Sequence, residues 1–145
     1  MAANTQPIFV RIPDNSTNNA TALAATITAA ANDFTGSGAN NVLVFTADTS
    51  NGSFIQRLRI KGLGTNVATV LRIFLNNGST NATATNNVFI GEIPLAASTA
   101  SATTLTSLDI DYMLNMPMSP GFRIYVGLAT AVAAGIHVVA VAGDY

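Results

Sequence analysis

Apolar and polar residues alternate in short bursts along this chain, and runs of Asn, Thr, Ser and Gly separate the bursts. In residues 105–114, Leu108, Ile110, Tyr112 and Leu114 alternate with Ser107, Asp109 and Asp111. Residues 122–128 repeat the pattern, with Phe122, Ile124, Val126 and Leu128 as the apolar set. A period of two is the signature of a strand with one face on a core and the other toward water. Two further runs flank Gly62 and Gly64. In the first, Phe54, Leu58 and Ile60 alternate with Ile55, Arg57, Arg59 and Lys61; in the second, Leu71, Ile73 and Leu75 alternate with Val70, Arg72 and Phe74. Glycine permits the backbone angles of a reversal, so these two runs are expected to pair through a glycine turn.

The remaining segments read the same way. Residues 6–12 form a short strand closed by Pro13. Residues 20–31 read two ways: their Ala content would suit a helix capped by Ser16 or Thr17, but Thr26, Ile27 and Thr28 favour a strand, which is the expectation. Residues 42–47 form a strand that runs into Asn51-Gly52, a strong hairpin signal. Residues 88–95 are a strand in which Pro94 marks an end or an edge. Residues 136–142 are apolar on both faces, which predicts a central strand or one covered by another subunit. Loops are expected at 14–19, 32–41, 76–87, 96–104 and 115–121, the last on the strength of Pro117, Pro120 and Gly121. About nine short strands with turn signals between them predict an all-β fold, an antiparallel β-sandwich of jelly-roll type. The 145 residues suit one domain, with residues 1–7 as a flexible arm.

Composition changes the picture in one respect. The apolar fraction is 49%, but Ala supplies 24 of those residues and buries little area. Charged residues are only 9%, against about 25% in ordinary soluble domains. Amides and hydroxyls must therefore coat the surface, or contacts with other subunits must hide it. The net charge of −1 offers no footprint for nucleic acid. No Cys is present, which excludes disulfides and thiolate metal sites. Residues 124–142 carry no Asp, Glu, Lys or Arg, yet Gly127, Thr130, Gly135 and His137 interrupt them. They read as two buried strands and a loop rather than a membrane span. The opening residues lack a basic region followed by an apolar run, so no signal peptide is expected.

Candidate chemistry is sparse. His137 is the single histidine, between Ile136 and Val138, and reads as a structural or subunit-contact residue. Asp109 and Asp111 share a strand face. They could hold calcium or do acid–base work, but Arg57, Arg59, Lys61 and Arg72 are four of the six basic residues and could face them as a charge ladder. Gly62-Leu63-Gly64-Thr65 lacks the ending of a phosphate loop and reads as a turn. No serine sits in a nucleophile elbow. The expectation is a protein that is not an enzyme and holds no cofactor or metal. Residues 76–87 are twelve positions of Asn, Thr, Ala, Ser and Gly with nothing to bury. They should project as a loop, ordered by side chains that bond their own backbone.

The run from Arg59 to Gly78, RIKGLGTNVATVLRIFLNNG, resembles a group of small structural proteins of tailed bacteriophages. So do the opening Met1-Ala2-Ala3-Asn4-Thr5 and the closing segments Thr130-Ala131-Val132-Ala133-Ala134-Gly135 and Gly143-Asp144-Tyr145. The resemblance implies a head decoration, or cement, protein: β-rich, a homotrimer, made in the host cytoplasm and bound to the outside of the capsid where major capsid protein subunits meet. It brings no catalytic residues. On that footing Asn76, Asn77, Asn81, Asn86 and Asn87, with Gln6 and Pro7 of the arm, are the expected contacts. A second expectation is a tail-fibre or spike-head module that binds a host receptor or glycan, though Trp is absent and the three Tyr residues are scattered.

Overall fold

The computed structural model describes residues 12–14, 24–101, 103, 105 and 108–145. The expected strand at 6–12, Ile12 apart, and the arm at 1–7 with Gln6 and Pro7 lie outside the described residues. Nine strands follow in order: β1 Ile12–Asp14, β2 Ala25–Ile27, β3 Val42–Thr46, β4 Ser53–Gly62, β5 Thr69–Asn76, β6 Asn87–Leu95, β7 Asp109–Met118, β8 Arg123–Leu128 and β9 Ile136–Asp144. They form two packed antiparallel sheets, so the fold is a β-sandwich. The first sheet runs β9–β4–β7, and its fourth position is filled in turn by β1 and β2, which both pair with β9. The second runs β3–β8–β5–β6.

The core lies between the sheets. Ile55, Leu58 and Ile60 of β4 and Ile136, Val138 and Ala140 of β9 meet Leu71 and Ile73 of β5 and Ile124, Val126 and Leu128 of β8. The alternation in β7 and β8 places its residues as the sequence predicts. In β4 the parity changes midway. Ile55, not Phe54, is inward with Leu58 and Ile60, because Gln56 and Arg57 sit side by side against a single residue of β9. This bulge lets both point outward. β7 carries a matching extra residue, and Asn115 adopts the left-handed conformation there (φ 46°).

Three local expectations are corrected. Asn51-Gly52 does not close a hairpin: β3 pairs with β8 in one sheet, while β4 pairs with β7 and β9 in the other. Asp48 shapes this crossing, its Oδ1 accepting from the N–H of Ser50 (2.9 Å) and Asn51 (2.7 Å). Gly52 has φ +78°. The runs either side of Gly62 and Gly64 are likewise not partners, since β4 and β5 lie in different sheets. The third concerns residues 115–118, which continue β7 rather than form a turn. β7 is an edge strand, where Pro117 and its missing N–H are tolerated. Of the connections between strands, only β1–β2 and β5–β6 stay within one sheet.

The stretch 124–142 is β8, a loop and β9. No helix among the described residues is long and apolar enough to cross a membrane.

The loop after β4 is tied to the loop before β9 by one side chain. Asn66 is 3% exposed. Its Nδ2 donates to the carbonyls of Leu63 (2.7 Å) and Gly135 (2.9 Å), and its Oδ1 accepts from the N–H of Ala134 (2.9 Å) and Gly135 (3.0 Å). Every hydrogen-bonding valence of the carboxamide is filled.

Candidate functional site

The outer face of the first sheet carries the charges. Register sets Arg59 opposite Asp111 and Lys61 opposite Asp109, with Arg57 one step along. Arg59 Nε lies 3.2 Å from Asp111 Oδ1 and its Nη2 3.4 Å from Asp109 Oδ1. Lys61 Nζ is 3.4 Å from Asp109 Oδ2, and Arg57 Nε is 3.8 Å from Asp111 Oδ1. These side chains are between 30% and 56% exposed, so solvent screens each pair and the ladder adds little to stability. The charge of Lys61, then its hydrogen bond, then Arg59 hold the Asp109 carboxyl below its ordinary range.

Beside this ladder, β9 turns His137, Val139 and Val141 outward, each half-buried. Lys61 flanks His137 on one side and Thr26 on the other. Two shallow grooves follow the strands. One, of about 370 Å³, is lined by Arg59, Lys61, Asp109, His137 and Val139. The other, of about 190 Å³, is lined by Phe54, Gln56, Val141, Ala142 and Gly143. No three His, Asp or Glu side chains converge among the described residues.

Arg72 stands apart from the ladder. It belongs to β5 in the second sheet, so it never meets Asp109 or Asp111. It is 9% exposed, its Nε is 3.7 Å from Glu92 Oε2, and its guanidinium centre lies 3.9 Å from the centroid of the Phe34 ring. Phe34 meets Phe89 edge-on at 5.8 Å, and Phe89 meets Phe74 at 5.7 Å. The loop that carries Phe34 therefore covers part of the second sheet's outer face. Asp33 holds that loop in shape. Its Oδ1 accepts from the N–H of Thr35 (2.9 Å) and Gly36 (2.6 Å), and its Oδ2 from Gly38 N–H (2.9 Å) and Asn41 Nδ2 (2.8 Å). Burial pushes the Asp33 carboxyl up. The bonds from Asn41, Gly36, Gly38 and Thr35 outweigh it and hold the group below its ordinary value.

The five asparagines of the 76–87 loop serve mostly one another. Asn76 is fully buried and closed to a partner. Its Nδ2 donates to Asn87 Oδ1 (2.8 Å), and its Oδ1 accepts from Gly78 N–H (2.9 Å). Asn77 Oδ1 accepts from Ser79 N–H, and Asn77 Nδ2 donates to Asn86 Oδ1. Asn86 Nδ2 donates to the Thr80 carbonyl (2.9 Å), Asn87 Nδ2 to the Asn81 carbonyl (2.8 Å), and Asn81 Nδ2 to the Gly36 carbonyl (3.4 Å). Arg123 Nη1 adds a bond to the Ser79 carbonyl (3.1 Å). The exposed side chains of the loop are Asn77, Ser79, Thr80, Ala82, Thr83, Ala84 and Thr85, while Asn81, Asn86 and Asn87 are half-buried.

Sequence reasoning missed Asn66, Asp33 and the Phe34–Phe89 contact. For Asp33 a signal existed: Asp-Phe-Thr-Gly-Ser-Gly places an acceptor ahead of two glycines and two hydroxyls, the makings of a side-chain-capped turn. Asn66 is one asparagine among many, and nothing local marks it. Compared with protein-family models, with curated proteins and with solved structures, the chain finds no match.

Proposed function

We propose that this chain is a decoration protein of a tailed-phage head, a homo-oligomer that binds the outside of the assembled capsid and stabilises it. The observation that carries the reading is the 76–87 loop. It is held in one shape by its own amides and offers short side chains outward, hydroxyls and methyls with the amide of Asn77. A surface ordered before binding loses little freedom on contact, so modest contacts suffice. Cement acts by binding the assembled shell more tightly than its parts, which shifts the shell's stability by mass action. Several copies in one oligomer add avidity.

The wiring supports a jelly roll. Sheet orders β1/β2–β9–β4–β7 and β3–β8–β5–β6, with crossings between sheets at most connections, favour the paired Greek keys of that fold. We read the molecule as a module that works through its surfaces rather than through bond-making groups.

The test is co-sedimentation of the purified protein with heads that lack it, followed by heating. Binding that raises the temperature at which heads release DNA is the expected result. Thr80→Arg with Thr83→Glu should weaken it, since both side chains project. Heads that neither bind the protein nor change their melting would overturn the reading.

A further inference from the structure

The outer face of the second sheet is partly roofed by its own chain, whereas among the described residues the two grooves on the first sheet's outer face are lined by β4, β7 and β9. One groove is cationic and the other apolar. Around the first stand Arg59 and Lys61, with Arg57 next along β4, against Asp109 and Asp111 of β7. His137 of β9 sits half-buried on the other side of Lys61 from Asp109, and its ring makes no hydrogen bond among the described residues. The Arg and Lys contacts to the aspartates are long, 3.2–3.8 Å, and leave several donors of Arg59 and Lys61 unused.

We propose that this face docks an extended segment of a partner polypeptide, with a carboxylate over Arg59, Lys61 and His137 and an apolar side chain in the Phe54–Val141 groove. Charge complementarity points to a carboxylate, because three cations and a histidine face two acids. A nucleic acid would want a far larger excess of positive charge. Residues 1–11 and 15–23 contain no Asp or Glu, so those parts of the chain do not carry the missing acid.

Spacing follows from the strand beneath. Along β9 the grooves centre near Val138 and near Ala142, four residues or about 13 Å apart at about 3.3 Å per residue. An extended ligand thus places its acidic and apolar side chains four positions apart, on the same face. The proposal holds whether or not the partner is a capsid.

His137 supplies its own probe. It is the chain's single histidine, so its ring C–H protons give an unambiguous proton resonance. The experiment titrates the full chain with a capped peptide Glu-Ala-Ser-Ala-Leu, with a control whose Glu is Lys, and with a short oligonucleotide. Saturable movement of the His137 resonance with the Glu peptide alone is the expected result. Lys61→Met and Arg59→Met should each weaken it about fivefold, because each removes one exposed attraction while leaving the fold intact. A thermal melt matching the native protein checks that last point. The proposal is overturned by an unmoved resonance, by an equal response to the Lys peptide, by a stronger response to the oligonucleotide, or by variants that bind as the native chain does.

Discussion

Replacing Asn66 by alanine should be among the costliest polar changes in this molecule. The substitution removes two donors and two acceptor contacts at once, from a site that is 3% exposed. Each bond contributes about 0.5–1.5 kcal/mol net, and a buried group left without a partner costs about 1–3 kcal/mol. The contacts to Gly135 are fully buried, whereas those to Leu63 and Ala134 are part-exposed and water can replace them. The expected loss is about 3–5 kcal/mol. That is a large share of the roughly 5–15 kcal/mol that stabilises a domain, and lowers the melting temperature by about 10 °C. Urea unfolding followed by far-ultraviolet circular dichroism gives the number, provided the slope matches the native protein. Asn66→Asp sharpens the test. It keeps the shape but sets a carboxylate against two carbonyls, so its penalty is full at neutral pH and eases when the group protonates. A loss under about 1 kcal/mol for Asn66→Ala would refute the reasoning, because the hydrogen bonds would then not be holding the two loops.

Other outcomes follow from the same accounting. Asp33 has a depressed folded value, so its contribution is present above the ordinary carboxylate range and is lost as pH falls through the folded value. Asp33→Asn should lose about 1–3 kcal/mol at neutral pH, with the gap to the native protein closing in acid, as a pH series of melts would show. Arg59→Ala should change the stability of the isolated chain by less than about 1 kcal/mol in a thermal melt, because the ladder is exposed. Gly52→Ala should lose about 2 kcal/mol or more in urea. The residue has φ +78°, and an added Cβ would run into the Met118 carbonyl.

Strand positions were legible because alternation is local. Leu108, Ile110, Tyr112 and Leu114 announce β7, and Ile124, Val126 and Leu128 announce β8, whatever their neighbours are. Pairing was not legible, because it is set across the whole molecule. Asn51-Gly52 and Gly62–Gly64 both mark turns correctly, yet each carries the chain to the opposite sheet. Arg72 was assigned to the ladder through that same assumption, and its true companions, Phe34 and Glu92, come from another loop and another strand. The bulge at Gln56 moved Phe54 from the expected core to the outer face, and no residue type in the strand signals it. The 76–87 loop was read rightly as ordered by its own side chains. Which asparagines would be consumed was invisible, since that depends on how β5 and β6 bring Asn76 and Asn87 together.

The proposed place on a phage head is tested most directly by electron cryo-microscopy of phage particles that carry this protein. Density for this sandwich on the outer capsid lattice, with the 76–87 loop against a shell or neighbouring subunit, is the predicted result. A head bare of it, with the same density at the tail tip, would contradict the account.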